Sequence, residues 1–178
     1  MKIPIDEIPE TPKVIEFAAS VNELNESYAK RQIREFRFPP SVAVDIVCYR
    51  SGRELFFRGM VRGGVESTCS RCLKDFSLPV EHEFDIVLSP KPLQAAASTE
   101  ELRPEDLGLS YYSGDEINLE PLVREQVLLA LPTRPLCAEG CRGLCGGCGV
   151  DLNSEICCCS ADAEDPRMAI FRTLRIDR

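Results

Sequence analysis

Val42, Val44, Ile46 and Cys48 alternate with Ala43, Asp45, Val47 and Tyr49. This period of two marks a strand with one buried face. Arg50-Ser51-Gly52-Arg53 reads as a turn into a second strand over 54–62. Gly63-Gly64 predicts a bulge or bend before the strand resumes over 65–68. Residues 78–88 alternate again, with Val80, His82, Phe84, Ile86 and Leu88 set against Glu81, Glu83 and Asp85. An antiparallel sheet from about 42 to 88 follows, and Cys69-Ser-Arg-Cys72 falls at the tip joining two of its strands.

Helical spacing governs the flanks. Ser20 and Glu23 have capping-box spacing, which predicts a helix to about residue 31. Asn118 caps a second helix to about residue 131, with Pro121 in its first turn. Its Leu119, Leu122, Val123, Val127, Ala130 and Leu131 share one face, and Pro132 and Pro135 end it. Asp165-Pro166 starts a last helix through about residue 174. Residues 89–114, rich in Pro, Ala, Ser and Glu, read as a loose acidic loop. The fold class expected is α+β: an antiparallel β-sheet with packed helices and a C-terminal Cys-rich zinc-binding loop. Residues 1–132 would form the core domain, and residues 133–178 a metal-binding module with a terminal helix.

Ten cysteines change the picture from fold to chemistry. Eight form close pairs: Cys69 with Cys72, Cys137 with Cys141, Cys145 with Cys148, and Cys157 with Cys159. Two thiolates separated by a tight turn can face one cation, and four in a tetrahedron close a structural zinc site. One grouping places Cys145, Cys148, Cys157 and Cys159 in a local site and Cys69, Cys72, Cys137 and Cys141 in a second. Another joins Cys69 and Cys72 to Cys145 and Cys148. The first is favoured because it leaves no close pair unsatisfied. One or two Zn²⁺ ions are therefore expected, with an iron–sulfur cluster as the alternative. Gly143, Gly146, Gly147 and Gly149 suit the turns of such knuckles. Cys48 reads as a core thiol, Cys158 as a spare, and His82, the one histidine, as a half-buried strand residue. Strands on both sides of Cys69-x-x-Cys72 argue against a thioredoxin-like dithiol, which needs a helix N-terminus.

Charge and composition narrow the class. No nucleophile triad, phosphate loop or paired-carboxylate motif stands in the sequence, and none of its residues is proposed as catalytic. The N-terminal Met1-Lys2-Ile3-Pro4-Ile5-Asp6-Glu7 is charged and broken by proline, unlike a signal peptide. No apolar run approaches the roughly 20 residues of a membrane span. A cytoplasmic setting is expected, where thiols stay reduced and read as metal ligands rather than disulfides. Net charge is −8, but residues 28–74 carry ten Lys/Arg against four acids, whereas residues 91–120 carry two against seven. That asymmetry allows a basic face on an acidic protein. Arg50, Arg53, Arg58 and Arg62 are the candidate phosphate contacts: the first two flank a hairpin turn and the last two share one strand face, which would allow an exposed stripe.

Several stretches then read together: Cys69-Ser-Arg-Cys72-Leu-Lys-Asp-Phe76, Leu119-Glu-Pro-Leu-Val-Arg-Glu125, Pro135-Leu-Cys137, Gly143-Leu-Cys145-Gly-Gly-Cys148-Gly-Val-Asp-Leu-Asn153 and Asp165-Pro-Arg167. In order and spacing they resemble the YceD family, the large ribosomal RNA subunit accumulation proteins, in its cysteine-rich branch. The resemblance implies a non-enzymatic role in synthesis, processing or stability of large-subunit ribosomal RNA. Its partners would be that RNA or its precursor and ribosomal proteins, with no membrane and no small-molecule substrate. Relatives that keep only the first Cys-x-x-Cys imply that the 137–159 loop is a stabilising module. The competing reading is an adaptor that binds a ribosomal protein or RNA-processing enzyme through acidic residues 91–120 without touching RNA.

Overall fold

The computed structural model describes residues 1–30, 35–91 and 109–159. In chain order these form β1 (Lys2–Pro4), a short 3₁₀ turn (Ile5–Glu7), β2 (Lys13–Ser20), α1 (Asn22–Lys30), β3 (Phe36–Arg37), β4 (Ser41–Ser51), β5 (Glu54–Thr68), β6 (Asp75–Pro90), β7 (Leu109–Tyr112), β8 (Glu116–Asn118) and α2 (Leu119–Leu129). The class is α+β. The helix expected over 165–174 lies outside the described residues.

The long meander β4–β5–β6 is the alternating region of the sequence. Gly52, at φ +61, opens the two-residue turn from β4 to β5, a conformation glycine takes without a Cβ clash. The sheet order is β2-β4-β5-β6-β7, with β3 also on β5. Val42, Val44, Ile46 and Cys48 of β4, Leu55, Phe57, Val61 and Val65 of β5, and Val80, Phe84 and Leu88 of β6 all turn to one face and are buried. α2 closes that face with Leu119, Val123 and Val127. Burial also pushes the Cys48 thiol up, as befits a core residue.

Four expectations are corrected. Gly63 and Gly64 make no bulge: they continue the ladder opposite Val80 and Pro79. At Gly63 an added Cβ would sit 3.0 Å from Val42 Cγ1, so close strand packing explains that glycine. The sheet is antiparallel over 42–88 as expected but mixed as a whole, because β7 pairs parallel to β6 from Val87↔Leu109 to Pro90↔Tyr112. Both ends of the expected 89–114 loop are thus strand, and 92–108 lies outside the described residues. The Ser20–Glu23 capping box does not form. Ser20 ends β2, Leu24 N–H donates to Val21 O at 3.0 Å, and the Glu23 carboxylate pairs with Arg124 of α2 at 3.0 Å. Asn118 does cap α2, accepting from Glu120 N–H at 3.2 Å.

Candidate metal centre

The β5–β6 connection is a knuckle. Cys69 N–H donates to Lys74 O at 2.8 Å, and Leu73 N–H donates back to Cys69 O at 3.0 Å. Leu73 takes φ +58, the left-handed region that favours glycine. The segment 145–150 repeats this geometry. Cys145 N–H donates to Val150 O at 2.8 Å, Gly149 N–H donates to Cys145 O at 2.9 Å, and Gly149 takes φ +75. One backbone design therefore occurs twice, with leucine in the first copy where the second has glycine.

Each knuckle presents two sulfurs, and in each case two more arrive from elsewhere. Cys69, Cys72, Cys137 and Cys141 form one set, and Cys145, Cys148, Cys157 and Cys159 the other; within each set all sulfurs lie within 4.8 Å of one another. Cys69–Cys141 is 3.8 Å and Cys72–Cys137 is 3.6 Å. Cys148–Cys157 is 3.6 Å and Cys145–Cys157 is 3.2 Å. Four sulfurs each about 2.3 Å from one zinc ion would be about 3.8 Å apart. The first set matches that spacing, and the second is slightly tighter.

The electrostatics also fit a cation. Burial raises the Cys69 thiol, but the backbone amides of Cys72, Cys137 and Arg71 outweigh it and bring the thiol to about 6. In the same set the Cys72 sulfur, then burial, push Cys137 up to about 12. The Cys148 amide and the Cys157 thiol bring Cys145 to about 6. Cys159 is pushed up to about 12 by the sulfurs of Cys148, Cys157 and Cys145. One thiol of each set ionises readily and the last resists, because like charges crowd at contact distance. A divalent cation at the centre removes that resistance.

Hydrogen bonds and an ion pair hold the segment 135–153 against the β5–β6 connection. Ser70 N–H donates to Pro135 O at 2.9 Å, Leu144 N–H to Arg71 O at 3.1 Å, and Arg71 Nη1 to Cys141 O at 2.7 Å. Gly143, at φ +77, comes so near that a Cβ would sit 3.0 Å from Arg71 O. Asn153 accepts from Arg142 N–H at 2.8 Å and turns its Nδ2 to Cys141 Sγ at 3.5 Å. Lys74 Nζ meets Asp151 Oδ2 at 2.8 Å. These contacts join three of the segments on which the sequence resemblance rests, 69–76, 135–137 and 143–153. A profile described as large ribosomal RNA subunit accumulation protein YceD matches residues 57–175, more than half of the chain and both knuckles. This chain belongs to the YceD family. Among curated proteins it is similar to the chloroplastic large ribosomal RNA subunit accumulation protein YCED homolog 1 of Arabidopsis thaliana, at 23% identity over 166 residues, covering 77% of this chain and 49% of the relative. It is also similar to an uncharacterized protein of Mycobacterium tuberculosis, at 33% identity over 97 residues, covering 54% of this chain and 44% of that protein. The chain thus spans about half the length of the curated relatives it matches. No solved structure matches it.

Within this YceD-family fold the four candidate arginines do not make one stripe. Arg58 and Arg62 do share the open face of β5. Arg50 pairs in register with Leu55, so it lies at the margin of the opposite, covered face, and Arg53 stands in the turn. Alternation across the hairpin sets that division. Arg58 Nε contacts Asp85 at 2.7 Å, and Arg62 contacts Asp45 at 2.7 Å and Glu81 at 3.7 Å. Glu16 and Glu83 lie exposed on the same face. The open face is therefore mixed in charge, with acids in excess. Arg50 and Arg53 have no ion-pair partner among the described residues. His82 is half-buried on the core side of β6. No helix among the described residues is long and apolar enough to cross a membrane.

The Lys74–Asp151 pair makes a prediction. The Lys74 hydrogen bond, then the Asn153 amide, hold Asp151 at about 2, below its ordinary 3.8. A depressed carboxylate stabilises the fold above its ordinary value and loses that effect as pH falls through about 2. At pH 7 the contribution is whole. Asp151→Asn is expected to speed amide exchange at Leu144 and Cys145 at that pH; native exchange rates in the variant would show that the pair does not help to hold the module.

Proposed function

We propose that this protein is a non-enzymatic factor that promotes accumulation of large-subunit ribosomal RNA, and that its two cysteine sets each hold a structural zinc ion. The single observation that carries the reading is the pair of all-cysteine tetrads within a YceD-family chain. Four thiolates fill a tetrahedral ion and leave no open position for substrate, which favours a structural role over a hydrolytic one. Zinc rather than an iron–sulfur cluster suits the short sulfur–sulfur spacing around a single centre. On this reading residues 1–132 are the core unit and residues 133–178 a module fastened to it by the first ion. The protein works in the cytoplasm on ribosomal RNA or its precursor. Arg50 and Arg53 are its leading phosphate contacts, and Arg58 and Arg62 contribute only where RNA displaces their carboxylate partners.

The test is a strain lacking the gene. A reduced large-subunit peak and reduced large-subunit RNA are expected, restored by the native gene and not by a Cys69→Ser, Cys72→Ser copy. An intact large-subunit peak in the deletion strain would remove the proposal.

A second reading is an adaptor that contacts a basic ribosomal protein and no RNA. The excess of carboxylates on the open sheet face favours it. Ultraviolet crosslinking in cells separates the two: RNA adducts support direct contact, and protein adducts alone support the adaptor.

A further inference from the structure

The two cysteine sets are built differently. In the first, Cys69, Cys72 and Cys141 are 0%, 5% and 3% exposed, with Phe76, Leu136 and Leu144 packed on them, and Cys137 alone is exposed. Its sulfurs meet across 65 and 72 residues of sequence. Opening that set means lifting the module off the strand tip against the contacts of Ser70, Arg71 and Lys74. The second set comes from residues 145–159 alone. Cys148 and Cys159 are exposed, Cys145 and Cys157 only half-buried, and the neighbouring Ile156 is 94% exposed. The second set belongs to neither buried apolar cluster. Among the described residues its sulfurs take hydrogen bonds from local amides, such as Gly147 N–H to Cys145 Sγ at 3.4 Å and Cys159 N–H to Cys157 Sγ at 3.2 Å.

We propose that the second set is an exchangeable zinc site, which yields its ion to a soluble thiol-bearing acceptor while the first set retains its own. The protein then exists in a two-metal and a one-metal form, and the difference lies in the order of residues 145–159. This deepens the zinc reading above and rests on it. The exchange is ligand substitution. Each acceptor thiolate that bonds to the ion displaces one cysteine thiolate, which takes up a proton from solvent, and no electrons move. The acceptor enters at Cys148 and Cys159, the two exposed residues of the set. At the first set only Cys137 is exposed; an acceptor that displaces it still meets three buried sulfurs, and the surrounding hydrogen bonds raise the cost of moving any further ligand.

The experiment uses the full-length, zinc-loaded protein and the dithiol chelator dimercaptosuccinate. Zinc content is followed over time, and free thiols are alkylated and located by mass spectrometry. One equivalent is expected to leave fast and the second slower by on the order of tenfold or more, the range that outer contacts confer on metal sites. In the one-metal form Cys145, Cys148, Cys157 and Cys159 become alkylated while Cys69, Cys72, Cys137 and Cys141 stay protected. A Cys148→Ser, Cys159→Ser protein is expected to lack the fast phase and keep the slow one. Two equivalents leaving in a single phase, or early alkylation of Cys69 and Cys72, would overturn the exchange proposal and leave the zinc reading standing. Freshly purified protein without zinc would overturn both.

Discussion

Cys69→Ser is expected to remove one equivalent of zinc and to free the Cys-rich module from the sheet. Cys69 is 0% exposed, and its sulfur lies 3.8 Å from that of Cys141 on the far side of the docking contact. Structural zinc contributes on the order of 10 kcal/mol to folding of small zinc peptides. Here the sheet has its own core from Val42 to Leu88 under α2, so the loss stays local. Amide exchange at Cys141 and Leu144 should rise towards the unfolded rate while Val61, in the centre of β5, stays protected. Metal analysis and exchange measured by mass spectrometry check both parts. Full zinc content in the variant would refute the assignment of Cys69 as a ligand, and loss of protection at Val61 would refute the independence of the sheet.

Gly59→Ala is expected to have the opposite pattern, a weakened sheet with intact metal sites. Gly59 lies in the middle of β5, between Ile46 of β4 and Phe84 of β6. A Cβ there would fall 2.5 Å from Asp45 O, 2.9 Å from Ile46 Cγ1 and 2.9 Å from Phe84 Cζ. Two of those atoms belong to the packed core and one to the backbone, so the neighbours cannot simply swing aside. Overpacking of this kind costs about 3 kcal/mol. For a chain of this size that lowers the melting temperature by roughly 6–12 °C. Thermal unfolding followed by circular dichroism gives the shift, and zinc content per folded chain should not change. A melting temperature within a degree or two of the native protein's would mean that the three strands adjust more easily than their spacing suggests.

The strands β4, β5 and β6 were legible because alternation is a local property, carried by residues such as Val42, Val44 and Ile46 that need no partner to be recognised. The same holds for α2, with its Asn118 cap and 3.6-residue apolar spacing. β2 was missed: Ile15, Phe17 and Ala19 do alternate, but the exposed Val14 blurs the start. The close cysteine pairs were also plain, yet spacing left two groupings open. Docking of the module on Arg71 and Lys74 brings Cys137 and Cys141 to Cys69 and Cys72. The second knuckle announced itself through Gly149, whereas Leu73 hid its match in the first until φ +58 was seen.

Residue type and spacing along the chain were therefore enough for the class of fold, the principal strands and the close cysteine pairs that could hold a metal, because each depends on near neighbours. Register, the parallel β7 and the surroundings of the arginines depend on residues far apart in sequence. Arg58 and Arg62 looked free as a linear stripe, but strand pairing sets Asp85 and Glu81 directly across from them. Cross-strand neighbours lie about 5 Å apart whatever their separation in sequence, and it is that distance that turned an expected basic stripe into a mixed, acid-rich face.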